Sequence, residues 1–258
     1  MSRSAQQIHI DFVRFVGEEG ASLYFDQLLA GGTAAWPASF RRRFPALQSW
    51  QGISHLKETL RRPAGASAQW QVILASRSAQ LMKLAAELLF RLCRNVLVTD
   101  LTWPSYRYIL DRAGGRAENR LTTCSLRKGI LRDKLQPDEL VEQTVRSFLH
   151  HGCDGLFLPA VDNLGVRVPI ERIVRAIKER TELRFVAVDG AQALGHVPLN
   201  LDEQYGDFFI AGCHKWLRAY HPMGIGFYGH PRSVGYIEQT MEQLQRRGSL
   251  DDPLMRFL

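Results

Sequence analysis

A chain of 258 residues, 45% apolar and 23% charged, has the composition of an ordinary globular protein and can bury a core as one large α/β domain or two small ones. No stretch approaches the roughly 18 to 20 apolar residues of a membrane span, the opening residues 1–10 lack the unbroken apolar run of a secretory signal, and Cys93, Cys124, Cys153 and Cys213 show no metal-type spacing, so a cytoplasmic protein without metal is expected. The net charge of +7 is scattered, apart from Arg41-Arg42-Arg43, Arg61-Arg62 and Arg246-Arg247, and no nucleic-acid motif accompanies it; it reads as a solvated basic surface compatible with an anionic cofactor or substrate.

Residues 1–68 read as an irregular or helical segment, punctuated by Gly31-Gly32, Pro37, Pro45 and Pro63 and anchored by Trp36, Phe40, Phe44 and Trp50. Residues 69–258 form a second unit, in which apolar strand candidates alternate with helical patterns. The strands are expected at 71–75, 95–99, 155–158, 184–188, 207–211 and 224–228. Helical spacing of Leu81, Leu84, Ala85, Leu88, Leu89 and Leu92 predicts a helix over 78–92, and Pro169 opens another over 169–181. This alternation implies a mainly parallel sheet sandwiched by helices in a three-layer αβα arrangement.

Two short segments carry reactive groups just past strands, where open α/β sheets place ligands. Asp189-Gly190-Ala191-Gln192 follows the run 184–188, and His214-Lys215-Trp216 follows 207–211. An acid for a protonated ring nitrogen, an amide for a phenolic oxygen and a lysine for a Schiff base are the requirements of pyridoxal 5'-phosphate chemistry. Upstream, Ala75-Ser76-Arg77-Ser78 leads from a strand into a helix, so first-turn amides and the Ser76 and Ser78 hydroxyls are expected to converge as a phosphate site. An N-cap serine accounts for that segment taken alone, and Asp-Gly pairs and lone lysines are usually turns and surface charge.

Together these segments, in order over roughly 70–254, resemble the class V aminotransferase and cysteine desulfurase family of fold type I pyridoxal phosphate enzymes. The resemblance implies that Ala75, Ser76 and Arg77 meet the phosphate, Trp103 stacks on the ring and Asn163 lies near the phenolic oxygen. It further implies that Asp189 faces the ring nitrogen, that Gln192 binds the phenolic oxygen, and that Lys215, preceded by His214, carries the cofactor. Ser249, in Arg247-Gly248-Ser249, resembles the family's Gly-Thr segment, which reaches the phosphate of a neighbouring subunit and implies a homodimer.

Three departures stand out. Ala160-Val161-Asp162-Asn163 lacks the family histidine, Gly212 stands where a hydroxyl or amide side chain is usual, and the run 216–226 looks slightly long. Relatives also continue for about a hundred residues into a small domain with the substrate-carboxylate arginine and the desulfurase cysteine, and neither residue has a counterpart here; Arg77, Arg218 and Arg41–Arg43 are substitutes without a motif. The expected activity is class V amino transfer on an amino acid. A lyase or epimerase of the same family, or a shortened non-catalytic binding partner, are the alternatives.

Overall fold

The computed structural model describes residues 3–20, 27–34, 36–203, 206–219 and 221–256; Tyr220, within the run 216–226, lies outside them. Seven five-residue strands form one sheet: β1 Gln71–Ala75, β2 Asn95–Thr99, β3 Arg120–Cys124, β4 Gly155–Pro159, β5 Phe185–Asp189, β6 Phe208–Gly212 and β7 Gly224–Tyr228. Their spatial order is β1-β7-β6-β5-β4-β2-β3. The pairs β6–β5, β5–β4, β4–β2 and β2–β3 are parallel, and β7 runs antiparallel to both neighbours. β2, β4, β5, β6 and β7 are buried at every position, as near-continuous apolar runs covered on both faces must be.

Alternate residues of each strand feed two cores. On one face Val72, Leu97, Leu156, Val186 and Phe209 meet the helices α3 Ile53–Ala64, α7 Pro137–His150 and α8 Ile170–Lys178. On the other, Ile73, Val96, Phe157, Ala187 and Phe208 meet α4 Ser78–Leu92, α5 Pro104–Arg116 and α9 Val234–Arg246. The three-layer arrangement inferred from strand–helix alternation is thus the observed one.

Two features add to the sequence reading. β3 escaped notice because Arg-Leu-Thr-Thr-Cys is a polar edge strand, exposed or half-buried at four of its five positions. The N-terminal segment is more helical than irregular, with α1 Arg3–Glu19 and α2 Ala38–Arg43 ahead of α3. It has a small core of its own, Phe15, Leu28, Trp36, Phe44 and Leu47, in which Phe15 and Trp36 stack with centroids 4.6 Å apart. The signal was present: Phe12, Phe15 and Val16 recur at helical spacing and turn one face of α1 inward.

Candidate active site

The carboxyl ends of β1, β2, β4, β5 and β6 open onto one cavity of about 260 Å³, walled by residues from all five following loops. That is the expected location for a ligand in an open α/β sheet, since each parallel strand delivers its loop to the same edge. Asp189 and Lys215 both line the cavity, together with Trp103, Asn163, Gln192 and His214.

Asp189 ends β5 and is 7% exposed. Its Oδ1 accepts a hydrogen bond from the Ala191 amide at 3.0 Å. Burial raises its pKa to about 6, with the Ala191 amide and the Lys215 charge pulling the other way. The turn after it is tight: a Cβ on Gly190 would stand 1.9 Å from Phe209 Cζ, so only glycine fits there. Gln192 Oε1 accepts from Trp216 Nε1 at 3.0 Å, which ties the loop after β5 to the loop after β6.

His214 and Lys215 sit in the turn beyond β6, and both side chains are solvent-accessible. The His214 imidazole is shifted towards its neutral form, first by desolvation, then by the charges of Lys215 and Arg77. The same ring lies close to Gly212, where a Cβ would stand 3.2 Å from both His214 Cε1 and Nδ1. Cys213 is structural; its buried thiol is pushed up by desolvation, donates to the His221 carbonyl at 3.2 Å and accepts from the Met223 amide at 3.1 Å.

The β1 end differs from expectation. Ala75 is fully buried in the strand and does not line the cavity. Ser76 turns away, with its amide and hydroxyl both donating to Asp252 Oδ2 at 2.8 and 2.6 Å. Ser78, the first residue of α4, lines the cavity instead. Arg77 is exposed beside this turn, near enough for its charge to act on His214. A glycine in β7 makes room: a Cβ on Gly224 would come within 2.8 Å of the Arg77 carbonyl and the Ser78 nitrogen.

Trp103 is 49% exposed and caps α5, whose first residue is Pro104. One turn on, Tyr106 also lines the cavity; burial pushes its hydroxyl up to about 12, the Asp189 charge adds to this, and a hydrogen bond with Ser78 opposes it. Sequence reasoning missed Tyr106, although its place three residues after Trp103 puts it on the same side of the first turn. Asp162, also missed, is 3% exposed and shapes the loop after β4, its Oδ1 accepting from the Leu164 and Val166 amides at 2.8 Å each. Among the described residues no arginine lines this cavity. Ser249 is placed elsewhere, in a separate cavity of about 270 Å³ between α4, α5 and the segment 244–252.

The chain matches Aminotransferase class-V over residues 46–244. L-cysteine desulfhydrase-like protein lolT2 of Epichloe uncinata is 40% identical over 81 residues, which cover 31% of this chain and 15% of that protein. Hercynylcysteine sulfoxide lyase of Schizosaccharomyces pombe is 28% identical over 125 residues, 48% of this chain and 30% of that one. Among solved structures, a C-DES variant with glycine covalently linked to its PLP cofactor superposes with a TM-score of 0.60 at 15% identity, covering 91% of this chain and 55% of that chain. The chain thus spans about half the length of that structure and a smaller share of these curated relatives. With a family match running from just ahead of α3 into α9 and a fold and cavity that agree with it, the chain belongs to the aminotransferase class-V family, whose cofactor is pyridoxal 5'-phosphate.

Proposed function

We propose that the cavity binds pyridoxal 5'-phosphate and acts on an amino acid, with Lys215 as the residue that carries the cofactor and moves the proton at the substrate Cα. The observation that carries this reading is that Asp189, at the end of β5, and Lys215, in the turn after the neighbouring β6, line one small cavity. The residues suit the group: a buried carboxylate for a ring nitrogen, an aromatic wall for a ring plane, and a glycine at 224 that lets backbone close over a phosphate site at the start of α4. When bound, the cofactor supplies an electron sink for the carbanion formed at the substrate Cα.

The chain's own groups then have distinct tasks. Asp189, held at Oδ1 by the Ala191 amide, keeps negative charge where a protonated ring nitrogen needs it. Gln192 and Asn163 address the phenolic oxygen, and Trp103 orients the ring. Ser78, the first-turn amides of α4 and His214 form the phosphate site, with Arg77 adding positive charge; Ser76 supports it only by pinning the turn, its amide and hydroxyl both donating to Asp252. Lys215 Nζ takes and returns the Cα proton. A homodimer in which Ser249 reaches a neighbouring site belongs to the same proposal.

Amino transfer is the reaction assigned first. Elimination is the second reading, supported by the desulfhydrase-like and lyase relatives. The two separate cleanly, because transfer consumes an amino-group acceptor whereas elimination releases ammonia without one. The purified protein is expected to be yellow, and borohydride reduction should leave the cofactor mass on the peptide containing Lys215. Lys215→Ala should lose both colour and label. A colourless wild-type protein after reconstitution with excess cofactor would overturn the reading.

A further inference from the structure

The Gln192 amide has two chemically opposite ends, and its neighbours decide which one is free. Its Oε1 accepts from Trp216 Nε1 at 3.0 Å. An indole N–H can only donate, so this contact assigns the oxygen to Trp216 and leaves the Nε2 hydrogens for other partners. Gln192 is half-buried and lines the cavity with Asp189 and Lys215. The indole is itself held, stacked on His196 with ring centroids 3.6 Å apart and planes 10° apart. His196 belongs to the turn that carries Gln192, and its amide donates to the Ala193 carbonyl at 3.0 Å. Three side chains from the loops after β5 and β6 thus brace one another at the cavity rim.

We propose that Trp216 is a positioning residue: it holds the Gln192 amide so that N–H donors, not the carbonyl, face the bound ligand, which favours a cofactor whose phenolic oxygen is anionic. This rests on the cofactor reading above. Without the indole N–H, the Gln192 amide is free to turn over and present its acceptor end to that oxygen.

Trp216→Phe keeps an aromatic ring against His196 and removes only the donor. Trp216 is 43% exposed, so the substitution leaves the core intact. Purified wild type and variant are titrated with pyridoxal 5'-phosphate, and the visible absorption of bound cofactor gives both the dissociation constant and the pH midpoint of the band. The dissociation constant is expected to rise about three- to tenfold, the effect of one hydrogen bond. The midpoint should move up by about 0.5 pH or more, because an anionic oxygen deprived of a donor holds a shared proton more firmly. Gln192→Glu, which offers Trp216 an oxygen but the cavity no donor, should shift the midpoint in the same direction while NMR shows the Trp216 indole N–H still protected from exchange. A Trp216→Phe protein with wild-type affinity and midpoint overturns the positioning role alone. A wild type that takes up no cofactor overturns the cofactor reading, and this proposal with it.

Discussion

Asp189 places a carboxylate in an apolar setting, and the consequence for the apoprotein can be worked out in sign. Its folded pKa of about 6 lies above the roughly 3.9 of a free aspartate, so between those values the folded state binds more protons than the unfolded one. Stability associated with this group is therefore full below about pH 4 and is lost as pH rises through about 6. Asp189→Asn removes the buried charge, so urea unfolding of the apoprotein should show the variant more stable at pH 7 by on the order of 2 kcal/mol, the difference vanishing near pH 4. The same variant should bind the cofactor more weakly, since asparagine brings no negative charge to the ring nitrogen. Asp189, Gln192 and Lys215 were legible because their spacing from apolar strands survives in one dimension. Ser78 and Ser76 were not separable in that way: both hydroxyls follow β1, and only the position of Asp252, far along the chain, decides which of them is taken.

Elements set how closely the loops approach. The turn from β1 into α4 rests on β7, which reaches it through the antiparallel pairing of Ala75 with Gly224. Gly224→Ala would place a Cβ 2.8 Å from the Arg77 carbonyl and the Ser78 nitrogen, and backbone atoms cannot move aside as a side-chain tip can. Overpacking of this kind should cost about 1–3 kcal/mol in thermal or urea unfolding and, if the displaced turn holds the phosphate as proposed, should weaken cofactor binding. A wild-type affinity in that variant would place the phosphate elsewhere. At the end of β6 the contact is softer, since a Cβ at Gly212 would lie 3.2 Å from the exposed His214 ring, a side chain that can shift. The sequence shows Gly212 as a departure and Gly224 as an ordinary strand residue, but the atoms that exclude a side chain at 224 come from the turn after β1, far away in the chain.

At the scale of the whole molecule, the end of the sheet opposite the cavity carries a buried ion pair. Asp207, fully buried ahead of β6, takes Arg232 Nε at 2.9 Å and Nη2 at 2.7 Å, and also accepts from the Val186 amide at 2.8 Å. Arg232 in turn donates to the Leu183 carbonyl at 2.7 Å, linking the segments that flank β5, β6 and β7. Arg232→Met would leave a buried, unpaired carboxylate, so equilibrium unfolding should show a loss of about 3–5 kcal/mol. Cofactor affinity in the folded variant should be unchanged, because the pair lies at the far end of the strands. What the sequence by itself determined is the αβα layering, six of the seven strands and the reactive residues at strand ends, since buried strands must be apolar and site loops follow them. What only the tertiary structure decided is the polar edge strand β3, the inward turn of Tyr106, the Asp252 contact that withdraws Ser76, and the Trp216–Gln192 bond. Each depends on groups distant in the chain meeting in space, and no local pattern records which partners meet.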